Sequence, residues 1–206
     1  MDEALNVREF WFGKEPLSAE ALRHLVALWF TSDDPDATRQ RDELIAERFA
    51  TLLERAASGA LAGWATSPRR CLSLIIVLDQ FPRHIFRGTA RAFAYDEQAL
   101  ALTLFGMQSA ADGALNAAER IFFYMPLQHC ESLEVQEESV AAYRRLLVET
   151  PDELRFATES ALESARTHRE LIRHFGRFPH RNAMLRRNST SEEKAYLAEE
   201  TDRFGQ

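Results

Sequence analysis

The sequence predicts an all-α protein that folds as one domain of about nine helices. Apolar residues recur at spacings of three and four along most of the chain, which is the period of an amphipathic helix. Signals for helix starts and stops separate these segments. No segment shows the alternation or the Asn-Gly turn of a β-hairpin. With 206 residues, 46% of them hydrophobic, and no Gly/Ser/Pro-rich linker, the chain can bury one core over residues 1–206.

Start and stop signals place each helix in order. Ser18 precedes an apolar-periodic segment, and Asp34, Ser67 and Thr150 each precede a proline, as an N-cap does before a proline at the first helical position. Three pairs have the spacing of a capping box, namely Asn116/Glu119, Thr150/Glu153 and Thr190/Glu193. Glycines typical of helix ends are found at Gly13, Gly59, Gly113 and Gly176. The predicted helices span residues 4–12, 18–30, 35–57, 68–81, 94–112, 117–124, 133–149, 151–175 and 191–203, with one short turn within 179–185.

The helix over 68–81 is predicted to be central, because it is apolar nearly all round and such a helix is surrounded by protein. The helices over 35–57 and 151–175 carry apolar stripes, one of which includes Leu44. Helices joined by short loops predict either a bundle or a tetratricopeptide-like array of antiparallel helix pairs. No strict repeat of 34 to 45 residues selects the array.

Charge and cysteine content exclude several classes of protein. The net charge of −7 and the pI near 5.4 disfavour a nucleic-acid binder. Cys71 and Cys130 have no CxxC spacing, and no apolar run reaches membrane-spanning length. The N-terminus lacks the features of a signal peptide, so we expect a cytoplasmic protein. Of 25 basic residues only Lys14 and Lys194 are lysines, which reflects either genome composition or anion recognition by arginine.

The first polar cluster runs from Leu78 to Gly88, across the predicted end of the central helix. Pro82 should end that helix near Phe81 and leave Asp79 in its buried last turn. A carboxylate there faces the negative end of the helix dipole and needs a cationic partner. The candidates are Arg83, Arg87, Arg177 and Arg181. The cluster is either a structural Asp–Arg pair or a loop that aims Arg83 or Arg87 at a ligand.

The second cluster runs from Arg120 to Glu131. Arg120 and Tyr124 lie four residues apart on one helix face. Pro126 should break or kink this helix and push His129, Cys130 and Glu131 into a following turn. Neighbours in sequence do not assemble a catalytic triad, so Cys130 is not assigned as a nucleophile.

The third cluster, from Phe175 to Asn182, connects two predicted helices. A short helix opened by Pro179 would give an anion site of backbone N–H groups with Arg177 and Arg181. The alternative is a capping loop that binds its own chain. His168 falls on the apolar stripe of the helix over 151–175, either as a structural core histidine or as an acid/base group at the floor of a pocket.

Metal and nucleotide motifs are missing from the sequence. None of the six histidines has a glutamate three residues before it, and no His-Glu-x-x-His motif occurs. The glycine fingerprints of phosphate loops and dinucleotide folds are also missing. We therefore predict no metal site and no cofactor.

The motifs together resemble an uncharacterised bacterial family, the domain of unknown function nine-two-four. The resemblance runs from about Val7 to Leu197, and it rests on the ordered motifs Phe-Trp-Phe-Gly at 10–13, Asp-Gln-Phe-Pro-Arg at 79–83, Tyr-Met-Pro at 124–126, His-Cys-Glu at 129–131 and Phe-Gly-Arg-Phe-Pro-His-Arg-Asn at 175–182. It implies an all-helical fold akin to tetratricopeptide superhelices and supplies no activity. The residues that match the family pattern are Asp79, Gln80, Arg83, Arg87, Arg120, His129, Glu131, His168, Arg177, His180, Arg181 and Asn182.

Three positions depart from the family pattern. His84 stands where asparagine is usual, Cys130 where serine is usual, and Arg186 where glycine commonly follows leucine. The exchange at Cys130 further weakens any role for that residue as a nucleophile.

The leading functional hypothesis is a polar pocket where the three clusters meet, binding a small anionic metabolite. Proton transfer or orientation is assigned to His129, Glu131 and His180. Ligand binding is assigned to Asp79, Arg83, Arg87, Arg120, His168, Arg177, Arg181 and Asn182, with Arg83, Arg177 and Arg181 as the anion clamps. The alternative is a tetratricopeptide-like scaffold that holds a peptide or protein partner without catalysis. RNA binding through the C-terminal arginines is disfavoured by the net charge of −7. No motif specifies a reaction.

Overall fold

The computed structural model describes residues 2–14, 18–30 and 34–199. Its helices are α1 (Glu3–Phe12), α2 (Ala19–Phe30), α3 (Pro35–Ala57), α4 (Pro68–Ile75), α5 (Phe81–Ile85), α6 (Asp96–Gln108), α7 (Ala117–His129), α8 (Leu133–Glu149), α9 (Arg155–Phe175) and α10 (Ser191–Glu199). Short 3₁₀ segments lie between several of them, including Ala90–Phe93 and Pro179–Arg181. No strand occurs within these ranges, and the predicted all-α class is confirmed.

Capping hydrogen bonds confirm the predicted helix starts at Ser18, Asp34, Asn116 and Thr190, whereas the predicted cap Ser67 makes no side-chain bond to the start of α4. The Ser18 hydroxyl accepts from the N–H of Ala21 at 3.1 Å, and the Asp34 carboxylate accepts from that of Asp36 at 2.9 Å. The capping boxes Asn116/Glu119 and Thr190/Glu193 both form. These caps satisfy N–H groups that the first helical turn leaves without a partner.

The central helix is buried as predicted, but the prediction that it ends near Phe81 is wrong. Leu72, Leu74 and the residues from Ile75 to Leu78 are at most 3% exposed. After α4 the chain forms a π-helical turn over Ile76–Gln80, in which the N–H of Phe81 donates to the carbonyl of Ile76, and helix resumes in α5. Because Pro82 has no N–H and stands in the first turn of α5, the wider turn lets the chain stay helical past it.

The predicted break of α7 at Pro126 is also wrong, because this helix continues to His129. Residues 121–128 of α7 are all buried, so surrounding helices hold it in place. The hydroxyls of Tyr143 and Thr103 donate to the carbonyls of Ile121 and Phe123, at 2.7 and 3.0 Å. In a regular helix, residue 126 would donate its backbone N–H to the carbonyl of residue 122, but proline has no N–H. The two hydroxyl bonds lie on either side of that carbonyl. Tertiary packing therefore outweighs the local signal.

Two further boundaries and one core assignment differ from the prediction. The predicted box at Thr150 does not form: its hydroxyl donates to the Leu146 carbonyl at 2.7 Å, and a 3₁₀ turn over Asp152–Leu154 precedes α9. α6 ends at Gln108, because Ala110 adopts a left-handed backbone with φ 53°. Leu44 is 43% exposed and lies outside the core. Residues 200–203 of the last predicted helix lie outside the described residues.

One hydrophobic core joins the helices from α1 to α9. Its centre is aromatic: the Trp11 ring packs edge-on against Phe81 and Phe122, and Phe49 stacks on Phe81 at 4.6 Å. A smaller cluster of Leu171, Ile172 and Phe178 continues this packing towards α10. The smaller cluster places the third polar segment against the ends of α7 and α9.

The helix packing is most extensive between α8 and α9, and α8 also packs against α7. The tetratricopeptide-like arrangement of antiparallel pairs stays a prediction. Within the described part of the chain, no helix is both long and apolar enough to cross a membrane.

Candidate functional site

The three polar clusters meet where the π-turn, α5 and α7 approach the 3₁₀ segment Pro179–Arg181. Asp79 of the first cluster contacts His129 of the second. Arg83 of the first cluster and Arg181 of the third both contact Asp96, at the start of α6. We call these five residues, Asp79, Arg83, Asp96, His129 and Arg181, the polar junction.

The Asp79 carboxylate is fully buried and both of its oxygens are bonded. His129 Nδ1 lies 2.6 Å from Oδ1, and Gln80 Nε2 donates to Oδ2. Burial by itself raises the pKa of Asp79, but the charge of Arg83 and the hydrogen bonds from His129 and Gln80 outweigh it and hold the pKa below its usual range. The predicted need of Asp79 for a cationic partner is met by Arg83, whose Nη1 lies 3.7 Å from Oδ1.

Arg83 joins the π-turn to α6. Its Nη1 and Nη2 donate to the two oxygens of Asp96 at 2.8 and 3.0 Å, which is the bidentate geometry of a strong pair. Nη1 also donates to the Asp79 carbonyl at 2.6 Å. The guanidinium therefore anchors one end of the junction to two segments of the chain.

Arg181 is buried, with 6% of its surface exposed, yet it uses few of its donors. Its guanidinium lies between the rings of Phe93 and Phe178, 4.6 and 4.5 Å from their centroids. Among the described residues it donates through Nη1 alone, to Asp96 Oδ2 at 3.3 Å and to the His129 carbonyl at 3.1 Å, while the buried Nε has no hydrogen-bond partner. Burial and the nearby Arg83 charge lower the pKa of Arg181 to about 10, so it stays charged at neutral pH.

Glu131 lies beside the junction and is held on both oxygens. Arg187 donates to it at 2.6 and 3.0 Å, and the backbone N–H of Phe178 donates to Oε1 at 2.8 Å. Burial raises the pKa of Glu131, but these bonds outweigh it and lower the pKa overall. The N–H at the start of the 3₁₀ segment thus binds this internal carboxylate, as the capping-loop alternative predicts for this position.

Two further histidines border the junction. His168 Nδ1 lies 2.8 Å from the Ser164 carbonyl, and its ring is 6.5 Å from that of His129. Burial lowers the pKa of His168 to about 3 and that of His180 to about 4, so both are neutral near pH 7. The sequence-based expectation that His168 points into the protein is confirmed, because it is 6% exposed.

An open cleft of about 550 Å³ adjoins the third cluster. Arg187 and Lys194 give its walls a basic character, the neutral ring of His180 also lines it, and Ala183 and Leu197 give an apolar part. The ring of His180 lies 5.4 Å from that of Phe178, whose ring in turn contacts Arg181. His180 therefore lies between the cleft and the junction.

The remaining predicted site residues lie outside the junction. Arg87 pairs with Asp42 of α3 at 2.6 Å, and Arg120 pairs with Glu149 and with the Tyr124 hydroxyl. Arg177 is bidentate on Glu193, and Asn182 bonds Ser189 and Arg187 beside the cleft. The structure thus brings Asp79, Arg83, His129 and Arg181 together and gives Arg87, Arg120 and Arg177 partners elsewhere.

Sequence reasoning missed Asp96 and Arg187, which complete the two charge networks. Asp96 lies in the first turn of α6, where an acid is ordinary because it complements the helix dipole. Nothing local marks it as the shared partner of two distant arginines. The Arg-Arg pair at 186–187 signalled a basic segment but not which residue contacts Glu131.

Thiol and metal chemistry find little support among these groups. Burial raises the pKa of Cys130, so its thiol is protonated at neutral pH and is a poor nucleophile. Within the described ranges no three His, Cys, Asp or Glu side chains are grouped so that they could hold a metal ion. The available chemistry is that of imidazole, carboxylate and guanidinium.

Fold and site together define an all-α protein with a buried Asp/His/Arg junction at proline-containing helix ends. The chain belongs to the family described as bacterial protein of unknown function (DUF924), whose model matches residues 7–201. It is also similar to a solved structure of a protein of unknown function from Agrobacterium tumefaciens, with 30% sequence identity and a TM-score of 0.78 over 96% of this chain and 98% of that one. No curated protein matches the chain significantly.

Proposed function

We propose that this protein binds a small carboxylate or phosphate at the polar junction, with Arg181 as the principal contact. The observation that carries the proposal is the state of the Arg181 guanidinium, which is buried between two aromatic rings with Nε unbonded. A buried donor without a partner costs about 1–3 kcal/mol, and more when it is charged. An anion that reaches Nε or Nη2 would recover this free energy.

The charge balance of the junction limits the kind of anion. Arg83 and Arg181 carry two positive charges, and Asp79 and Asp96 carry two negative charges. Because there is no excess of positive charge, affinity would come from short hydrogen bonds to Arg181 and from its aromatic surroundings. This favours a small anion of low charge, with an apolar part against the half-buried Phe93, over a polyphosphate.

Proton transfer is the second part of the proposal, with His129, Glu131 and His180 as its candidate groups. The backbone of His129 contacts Arg181, because Arg181 Nη1 donates to the His129 carbonyl. Glu131 is held by Arg187 and by the Phe178 N–H, so we assign it the role of positioning the 3₁₀ segment. His180 lines the basic cleft and would contact a ligand that extends from the junction.

The alternative function, a peptide- or protein-binding scaffold, remains a prediction. Among the residues that the structure describes, the exposed large apolar side chains are Leu5, Leu44, Phe105, Leu133 and Val148, on α1, α3, α6 and α8. Scattered single apolar residues are normal on protein surfaces, so they do not favour the scaffold. No observation on the described residues raises it above ligand binding.

A thermal-shift screen tests ligand binding. The full chain is heated with acetate, succinate, citrate, inorganic phosphate and adenosine monophosphate. The variants are Arg181→Ala, Arg181→Lys and, as a control, Arg70→Ala, which removes a surface arginine paired with Asp2. We expect at least one compound to raise the Tm of the wild type and of Arg70→Ala, but of neither Arg181 variant.

Arg181→Lys separates binding from folding, because lysine keeps the positive charge but loses Nε and the planar fork. If Arg181→Ala unfolds, the lysine variant still tests whether the guanidinium donors are needed. No shift of the wild-type Tm with any compound would contradict the proposal and favour the scaffold. An equal shift in Arg181→Lys would place binding elsewhere.

A further inference from the structure

We infer that Asp79 and His129 form a general-base dyad in which His129 Nε2 removes a proton from an O–H group, on water or on the bound ligand. His129 is the catalytic residue and Asp79 is a positioning residue. The inference deepens the proposed function and rests on it, because the anion held at Arg181 would bring the reacting group to His129. The class of reaction that this dyad would support is the activation of a hydroxyl oxygen as a nucleophile.

The backbone places Asp79 for this role. Asp79 is the fourth residue of the π-turn, so its side chain follows neither the register of α4 nor that of α5. It faces His129, fifty positions later at the end of α7. α7 reaches His129 only because it continues through Pro126. The contact between Asp79 and His129 therefore depends on the π-turn and on the continuation of α7 through Pro126.

The hydrogen bonds specify the tautomer of His129. An ionised carboxylate only accepts hydrogen bonds, so His129 Nδ1 must be the donor to Asp79 Oδ1 across 2.6 Å. Gln80 Nε2 donates to Oδ2, so the carboxylate is held at both oxygens and cannot rotate freely. Burial and the Arg83 charge lower the pKa of His129, which keeps the ring neutral with its lone pair on Nε2.

The second ring nitrogen of His129, Nε2, is available to a ligand or to water. The His129 side chain is 14% exposed, and Nε2 makes no hydrogen bond with any residue in the described part of the chain. The charged and titratable groups around it come from every neighbouring segment: Asp79 and Arg83, Asp96 of α6, His168 of α9, and His180 and Arg181. None of these side chains blocks Nε2 through a hydrogen bond.

The proton step is balanced without a co-reactant. The Nε2 lone pair takes the proton of the O–H group, the electron pair of that bond stays on oxygen, and His129 becomes an imidazolium. Asp79 stabilises the new charge through the same Nδ1–H contact. The Nε2 proton then passes to the product or to water, which restores the neutral ring.

The matched control is a second His–Asp pair in the same chain. His84 Nδ1 lies 2.8 Å from Asp42 Oδ1, on α5 and α3, and it is also partly buried. Asp42 is further bound by Arg87, and this pair lies outside the polar junction. The Asp42→Asn variant therefore alters a histidine–carboxylate contact without touching His129.

The experiment uses the full chain and two readouts that need no ligand. Long-range ¹H–¹⁵N NMR at pH 7 reports which ring nitrogen of His129 is protonated. Diethylpyrocarbonate acylates unprotonated imidazole nitrogens, and mass spectrometry follows the rate at His129 as a function of pH. The variants are wild type, Asp79→Asn and Asp42→Asn.

We expect an unprotonated Nε2 in the wild type. We also expect acylation of His129 to be at least about tenfold slower in Asp79→Asn, because an amide no longer enforces the tautomer, and unchanged in Asp42→Asn. A proton on Nε2 in the wild type, or equal rates in wild type and Asp79→Asn, would overturn the inference. If Asp79→Asn does not fold, the NMR measurement of the His129 tautomer in the wild type still tests the inference. Failure of the proposed function is seen separately, as no shift of Tm with any anion.

Discussion

Arg186 has a backbone conformation that its side chain disfavours. Its φ is 54°, in the left-handed region where the Cβ of a non-glycine residue is crowded. This position is also one where the sequence departs from the family pattern by lacking glycine. The side chain is exposed, so nothing in the core depends on it.

Replacing Arg186 with glycine should stabilise the protein by about 0.5–1 kcal/mol. Relief of the left-handed strain exceeds the extra backbone entropy that glycine loses on folding. Urea unfolding measures the difference in the free energy of unfolding. Arg144→Gly is the control, because that exposed arginine lies in α8 and the same change there should cost about 1 kcal/mol. A loss of stability in Arg186→Gly would refute the argument.

The charged residues at and beside the junction differ in how many of their polar atoms form hydrogen bonds. Asp79 and Glu131 have both carboxylate oxygens satisfied, whereas the Arg181 guanidinium does not use all its donors. A structural salt-bridge network would be expected to use every donor it buries. Arg181 therefore has donors left for a ligand, whereas Arg177 and Arg120 are bound to acids of their own chain.

At the scale of helices, α6 and α7 approach closely at one glycine. A Cβ built at Gly106 would lie 2.5 Å from Cζ of Phe123, whose ring is completely buried. The nearby Thr103 hydroxyl donates to the Phe123 carbonyl at 3.0 Å and fixes the same contact. Glycine at 106 therefore sets the distance between the two helices.

The Gly106→Ala change should destabilise the protein, although alanine is the better helix former by about 1 kcal/mol. The new methyl group overlaps Phe123, and such overpacking typically costs about 1–3 kcal/mol. Urea unfolding checks the sign, with Gly113→Ala as control, because a Cβ there has no atom within 4 Å. In the double variant Gly106→Ala/Phe123→Leu part of the loss should be recovered. A more stable Gly106→Ala protein would show that the ring moves freely.

The prolines of α5 and α7 show how element-scale predictions fail. Pro82 and Pro126 are local break signals, and the sequence contains no compensating signal nearby. The π-turn before Pro82, and the burial of α7 around Pro126, depend on helices that are distant in sequence. Capping boxes, by contrast, need only residues three apart, and two of the three predicted boxes form.

For the whole molecule, buried neutral histidines predict a loss of stability in acid. Burial lowers the pKa of His168 from 6.5 to about 3, and that of His180 from 6.5 to about 4. Between these values and 6.5 the unfolded chain binds protons that the folded protein does not. The contribution is therefore fully present above pH 6.5 and is lost as the pH falls towards the folded values.

We expect His168 to contribute a loss of about 2 kcal/mol in the free energy of unfolding between pH 6.5 and 5. Urea unfolding at pH 7.5, 6.5 and 5 measures the dependence in the wild type and in His168→Gln, which should show a shallower fall. The exposed His24 of α2 supplies the control substitution, His24→Gln. Equal pH dependence in wild type and His168→Gln would contradict the burial argument.

The amino-acid sequence by itself determined the all-α class, most helix starts, the buried central helix and the three polar clusters. These features depend on residues within one or two helical turns of each other, so period and spacing reveal them. The same local information placed His168 in the interior and identified four of the five junction residues.

Only the tertiary structure decided which charges meet. Asp79 contacts His129 across 50 positions, and Arg181 contacts Asp96 across 85, while Arg87, Arg120 and Arg177 find acids elsewhere. Any arginine can pair with any carboxylate, so residue type does not select the partner. Helix packing selects it, because the energy of a charge pair depends on distance and burial, which chain spacing does not specify.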